Sequence, residues 1–220
     1  MLSERYDDIF PLNQAALGLI VSETPKGGSV LDVGCATGAY VEELHSLGYK
    51  AFGIEYEPML MKYKNNVYQG DMHDIKLDMK FDTVMCTGNT LVHTESYDSL
   101  CGILKQFISV LNEGGKAVVQ ILNYDFIISK GIDQLPDIVS DSLFFERFYS
   151  FQNGMVDFKG RLTVDGNTEE SSVKLYPVRS SELVAAAREA GFSSVELYGD
   201  FKKNRFDTEA GLPLVAVMTA

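Results

Sequence analysis

Between residues 13 and 125, short apolar runs alternate with stretches of helical periodicity, and Gly, Asn or Asp separates them. The apolar runs "SVLDVG", "KAFGIE", a weaker "NVYQGD", "FDTVMCTG" and "KAVVQILN" predict strands, each ending in a polar residue or glycine. The periodic stretches predict helices: "GAYVEELHSLG", closed by Gly48, and "YDSLCGILKQFISVLNEGG", running to Gly114 and Gly115. Alternation of this kind predicts a parallel sheet with helical crossovers. After Asn123 the rhythm changes. Residues 125–176 hold an irregular segment with Pro136 and then alternating runs, "ERFYSFQNGMVDFKGRLTVDG", that predict an antiparallel hairpin or meander. The α/β rhythm returns with the helix "SSELVAAAREAG" and the strands "FSSVELYGD" and "PLVAVMTA". The expected organisation is therefore an α/β core over 1–124 with an N-terminal helical lid, an inserted lobe over 125–176, and a final helix and strands over 177–220 that complete the core.

Composition narrows the partners. A net charge of −12, with no basic run longer than Lys202-Lys203, argues against a nucleic-acid backbone, whose affinity comes from counterion release at basic surfaces. No apolar stretch approaches the about 20 residues that span a bilayer, and "MLSERYDDIF" lacks the regions of a signal peptide. A cytoplasmic protein acting on a small molecule, with no membrane partner, is expected. The odd set Cys35, Cys86 and Cys101 predicts reduced thiols rather than disulfides or a zinc site.

In an open parallel sheet, ligands collect at the carboxyl ends of the strands. The first end reads Asp32-Val33-Gly34-Cys35-Ala36-Thr37-Gly38, where small residues allow close backbone approach. A dinucleotide site would place G-x-G-x-x-G here; D-x-G-x-A-x-G instead puts a carboxylate before the first glycine, which repels phosphate and favours an ammonium or sulfonium. At the second end, Glu55 can accept both hydroxyls of a ribose. The third, Gly70-Asp71-Met72, offers a carboxylate and an apolar side chain to a planar ring, although an Asp there also suits a plain turn. The fourth is Thr87-Gly88-Asn89, where Gly88 again permits close approach.

These residues resemble the class I S-adenosylmethionine-dependent methyltransferases, and the likeness covers nearly the whole chain. "VLDVGCATGAY" is similar to their glycine-rich first motif, with Ala36 where many members have glycine. The resemblance implies a seven-stranded Rossmann-like α/β sheet, mostly parallel with an antiparallel final strand, helices on both faces, and here a small antiparallel insertion. It implies S-adenosylmethionine as cofactor: its ammonium near Asp32 and the Gly34, Cys35, Ala36 and Gly38 backbone, its ribose on Glu55 beside Tyr56, its adenine at Asp71 and Met72, with Thr87, Gly88 and Asn89 completing the set. "FDTVMCTGNTLVH", "ILNYDFII", "YPVRSSELVAAAREAGF" and "YGDF" further resemble the glycine N-methyltransferase-like group of small-molecule enzymes. That likeness implies that Asn123 faces the methyl acceptor, with Tyr124 beside it. Glycine itself fits poorly as acceptor, because the group's basic carboxylate grip falls near Asn153-Gly154 here; either Arg147 or Arg161 substitutes, or the substrate is not an amino acid.

Methyl transfer from a sulfonium needs positioning more than a protein nucleophile. An amine acceptor must be held neutral, with Asn123 as the expected hydrogen-bonding group, whereas a hydroxyl acceptor would need a base, for which His93 lies nearest the fourth strand end. A binder of S-adenosylmethionine without catalysis is the alternative from another class. Asp71, His73, Asp74 and Asp78 read as a solvated acidic stretch rather than a metal site. Tyr6 and Phe10 are candidates for a lid, Tyr6 then touching substrate. The aromatics of "LFFERFYSF" read as core of the insertion or as a contact in a homo-oligomer rather than as a cage for a cation.

Overall fold

Alternate side chains along the central strands enter two different cores, which is what a sheet covered on both faces requires. In the computed structural model, which describes residues 2–220, Leu31 and Val33 of β1 (Ser29–Val33) pack on one side and Val30 on the other. The same split separates Val84 and Cys86 from Met85 in β4 (Phe81–Cys86), and Val119 from Val118 in β5 (Leu111–Leu122). One face is covered by α4 (Tyr97–Val110) and α6 (Ser180–Ala190), the other by α2 (Gln14–Glu23) and α3 (Ala39–Ser46). Each large apolar side chain so enclosed contributes about 1.5–3 kcal/mol.

With β2 (Lys50–Glu55), β3 (Val67–Gln69), β10 (Ser194–Tyr198) and β11 (Pro213–Thr219), the sheet has seven strands in the order β3-β2-β1-β4-β5-β11-β10. Only β11 runs against its neighbours, pairing antiparallel with both β5 and β10. The order turns around between β1 and β4, so the crevice outside their carboxyl ends is the place a ligand can enter the sheet. The fold expected from the resemblance is the fold observed.

The helix expected to run to Gly114 and Gly115 stops at Val110. From Leu111 the chain is already strand, paired with Phe81, and the Asn112 side-chain amide donates to Asp82 Oδ1 at 2.8 Å. Pairing with β4 takes over the backbone groups that the last helical turn would have used.

Between α5 (Tyr124–Ser129) and α6 the chain forms a four-stranded antiparallel meander: β6 (Gln134–Val139), β7 (Leu143–Gln152), β8 (Met155–Val164) and β9 (Asn167–Leu175). One face of it, including Leu135, Tyr149, Val156 and Leu175, is continuous with the apolar core of the main sheet. The "LFFERFYSF" aromatics divide by strand alternation: Phe145 and Tyr149 are buried, Phe144 is 37% exposed on the opposite face, and Phe148 lies under the Arg161 guanidinium at 5.4 Å.

The junction is held by Asn123. Its carbonyl oxygen Oδ1 caps α5 by accepting from Phe126 N–H at 3.2 Å, while its Nδ2 donates to the carbonyls of Asp207, Ala210 and Gly211 at 2.9, 3.3 and 3.1 Å. The side chain is fully buried, so no water can replace these partners. Losing a cap costs about 1 kcal/mol and stranding buried polar groups about 1–3 kcal/mol more. Asn123→Ala is therefore expected to lower unfolding stability by about 2–4 kcal/mol in urea denaturation. A loss below about 0.5 kcal/mol would show that this junction does not hold the fold.

Candidate active site

The strand ends and the meander enclose one large cavity of about 790 Å³. Its first wall is made by the carboxyl ends of β1, β2, β3 and β4. Gly34 and Ala36 carry positive φ values of 74° and 48°, which turn the chain after β1 without projecting a long side chain into the cavity. Glu55 then ties this turn to β2: Oε2 accepts from Ala36 N–H at 2.8 Å and Oε1 from Glu57 N–H at 2.9 Å. A carboxylate has about four acceptor positions, so Glu55 keeps capacity for a ligand on the cavity side.

Behind this turn lies Asp32, buried to 2% exposure, with Oδ2 shielded from water and without a hydrogen-bond partner. Burial, and secondarily the charge of Glu55, pushes its pKa up to about 8. The same two carboxylates, after burial itself, push the Tyr6 phenol up to about 12, so Tyr6 faces this corner as a protonated hydroxyl. Asp71, Met72 and His73 extend the wall beyond β3. Partial burial opposes ionisation of Asp71, but the His73 amide at 2.9 Å and imidazole at 2.7 Å outweigh it and hold its pKa below the usual carboxylate range. Asp74 pairs instead with Lys76 at 2.6 Å. The cavity side of β4 and β5 is lined by Gly88, Asn89, Thr90, His93 and Gln120. Asn89 is pinned by donating to the Tyr124 hydroxyl at 3.2 Å and accepting from Leu122 N–H at 2.9 Å. His93 turns its ring to the cavity, and desolvation by the surrounding protein lowers its pKa below the ordinary histidine value.

The second wall is one face of the meander. In β7, Phe145, Arg147 and Tyr149 point the same way, and across the register Gly160 of β8 faces Arg147 while Phe158 faces Tyr149. Arg147 donates from Nη2 to the Pro136 carbonyl at 2.6 Å; its Nε is buried without a partner, and no carboxylate among the described residues pairs with it. The N-terminal helix α1 (Tyr6–Ile9) closes the gap between the walls. Asp7 accepts from the Thr37 hydroxyl at 2.6 Å and pairs with Lys62 at 3.0 Å, while Phe10 meets Phe145 edge-on at 5.8 Å.

Of the residues singled out from sequence, Tyr6, Gly34, Ala36, Glu55, Tyr56, Asp71, Met72, Gly88, Asn89, His93 and Arg147 line this cavity together. Others do not reach it. Asn123 is consumed by its four partners, and Tyr124 is buried in the core with its hydroxyl taken by Asn89, so the expectation that these two face an acceptor does not fit their geometry. The Cys35 side chain turns away into the space left by Gly53, Gly38 starts α3 with a φ of 85°, and the Thr87 carbonyl accepts from the Thr90 hydroxyl at 2.8 Å. The meander wall, above all Tyr149 and Phe158, was missed; the period of two through Phe145, Arg147 and Tyr149 was the signal for it.

An orphaned carboxylate behind a turn with further acidic groups in front suits a cationic ligand. The family model for the methyltransferase domain matches residues 4–197. The chain belongs to that family. This methyltransferase is 23% identical to a glycine/sarcosine N-methyltransferase of Halorhodospira halochloris, over 94% of its own length and 82% of the relative. An S-adenosylmethionine-dependent methyltransferase from Clostridium acetobutylicum superposes with a TM-score of 0.82 at 14% identity, covering 99% of this chain and 97% of the other. The amino pentose methyltransferase CalS10 from Micromonospora echinaspora, solved with S-adenosylmethionine bound, gives 0.73 at 20% identity, covering 99% and 96%. The protein is an S-adenosylmethionine-dependent methyltransferase with three unpaired, buried cysteines, and none of the described helices is long and apolar enough to cross a membrane.

Asp32 itself supplies a test of this geometry. A carboxyl group whose pKa rises on folding stabilises the fold fully below its unfolded value near 4, and that contribution is lost as pH rises through about 8. Asp32→Asn should therefore raise the thermal midpoint of the ligand-free protein more at pH 8.5 than at pH 5, by an amount corresponding to at least about 1 kcal/mol. Equal shifts at the two pH values in calorimetric scans would show that Asp32 is not buried as an unpaired acid.

Proposed function

We propose that this methyltransferase transfers the methyl group of S-adenosylmethionine to the amine nitrogen of a small acceptor lying between the strand ends and the meander. The observation that carries the reading is a single cavity with acidic strand ends and the neutral imidazole of His93 on one wall and, on the other, an Arg147 that no carboxylate among the described residues pairs. Support for an amine comes from the relatives, which are a glycine/sarcosine N-methyltransferase and an amino pentose methyltransferase. Unpaired thiols suit a reducing compartment, so we place the reaction in the cytoplasm.

The residues present fit the cofactor. Asp32 and the turn through Gly34 and Ala36 would hold its cationic end, Glu55 the ribose hydroxyls, and Asp71 with Met72 the adenine, with Tyr56 and Gly88 at the edges. S-adenosylmethionine supplies an electrophilic methyl group on a sulfonium. The protein holds the acceptor close to it, and effective molarity from such positioning is worth roughly 7–11 kcal/mol. Arg147 donates to an anionic group on the acceptor, which fixes its orientation. An amine free in water is mostly protonated at neutral pH; His93, held neutral, takes that proton through its ring nitrogen and leaves the lone pair free.

Two outcomes follow. The rate at subsaturating acceptor should fall as pH drops through the lowered His93 pKa, and His93→Gln should lower it about 100-fold and move the pH dependence up toward the pKa of the amine itself. An unchanged profile in the variant removes His93 as proton acceptor; turnover with phenols but not amines would favour a hydroxyl acceptor with the same base. In calorimetric titrations, S-adenosylmethionine affinity should increase up to tenfold per unit as pH rises toward 8, because a bound cation draws the proton off Asp32. Asp32→Asn should bind weakly at every pH; a pH-dependent Asn variant would assign the linkage elsewhere.

A further inference from the structure

We infer, building on the proposed reading of this cavity, that the acceptor is neither a bare amino acid such as glycine nor a polyhydroxylated sugar: it carries an aromatic or bulky aliphatic body together with its amine and its anionic group. The meander wall around Arg147 is apolar. Phe145 and Tyr149 on β7, Phe158 and Val173 across the register, and Leu135 from β6 all face the cavity. Gly160, opposite Arg147 on β8, leaves room for this wall: a Cβ there would come within 3.0 Å of the Phe145 ring. Tyr149 and Phe158 pack at a centroid distance of 5.2 Å with their planes inclined by 57°, forming a corner into which a ring or branched chain fits edge-on.

Two further observations exclude the smaller and the more polar acceptors. The mouth of the cavity leaves Phe10 38% and Val173 39% exposed, apolar area that a ligand of glycine's size would leave in water. A sugar would need a partner for each hydroxyl, yet the polar side chains of this wall are few: the Tyr149 hydroxyl, Ser171, Ser172 and Arg147. At about 790 Å³ the cavity lies in the upper part of the range for ligand sites, which leaves room for a bulky acceptor beside the cofactor.

The test uses the full chain saturated with S-adenosylhomocysteine, so that binding is read without turnover. Calorimetry would compare glycine with two ring-bearing amino acids, phenylalanine and para-(aminomethyl)benzoate. At least one of the two should bind about 10- to 100-fold more tightly than glycine, as burial of a ring predicts. Phe158→Ala should remove at least fivefold of that preference while leaving glycine and S-adenosylhomocysteine affinities unchanged; Tyr149→Leu serves where the first variant no longer binds S-adenosylhomocysteine. Equal affinity for glycine and both ring-bearing acids overturns the inference, as does a variant that weakens all three alike. Failure of the underlying reading looks different: tight ring-bearing ligands that are not methylated in the presence of S-adenosylmethionine leave this inference standing and remove the reaction, and absence of S-adenosylhomocysteine binding removes both.

Discussion

One buried carboxylate without a partner organises this molecule. Taking an isolated charge out of water costs several kcal/mol, so a fold keeps such a group neutral or keeps it for a ligand. Asp32 sits at the last turn of a central strand, flanked by β2 and β4, where neither neighbouring backbone can donate to its Oδ2. Its neighbour Glu55 is the opposite case, held in one orientation by two backbone amides while keeping further acceptor capacity. The pair therefore divides the work: Glu55 fixes the shape of the turn, and Asp32 supplies an unmet demand for positive charge. A phosphate-binding turn would leave the amides free and the carboxylate absent.

The second half of the cavity follows from strand alternation. Because side chains on β7 and β8 point to opposite faces in turn, a single choice of register sets Phe145, Arg147, Tyr149 and Phe158 toward the strand ends and leaves Phe144 and Phe148 outside. The face that packs on the core and the face that lines the cavity are one surface, since Tyr149 belongs to the apolar core and also lines the cavity. The acceptor site proposed for this wall thus rests on strands anchored by the main fold rather than on a free loop.

This explains what could be read from the amino-acid order. The central strands and the polar residues at their ends were legible because each apolar run is short, terminates in glycine or a polar residue, and recurs with the spacing of a crossover. The end of α4 was not, because the helical pattern of "ISVLNEGG" continues past Val110 and only pairing with Phe81 cuts it short. Asn123 misled for a related reason. A polar residue at a strand end reads as a ligand contact, and nothing local announces that residues 207–211 will return more than eighty positions later to occupy it. The meander aromatics were seen as a cluster, but which of them face the cavity depends on register, which the pattern alone leaves open by one residue.

The N-terminal segment joins the two halves, and its chemistry shows why it closes where it does. Asp7 is held by Thr37 and Lys62 of the core, whereas Ile9 enters an apolar cluster with Leu143, Phe145 and Leu162 of the meander. Flanking these anchors, Tyr6 and Phe10 meet at 5.1 Å with their planes inclined by 53°, so the roof over the cavity is a pair of rings tied to both walls. Each tie alone is weak: an ion pair whose Lys62 and Asp7 side chains are 40% and 34% exposed is worth at most about 1 kcal/mol, and an edge-on ring contact is similar. Closure therefore depends on both walls being in place at once, and a change in either one, whether at the first strand ends or along β7, is transmitted to the roof through Asp7 on the core side and through Ile9 and Phe10 on the meander side.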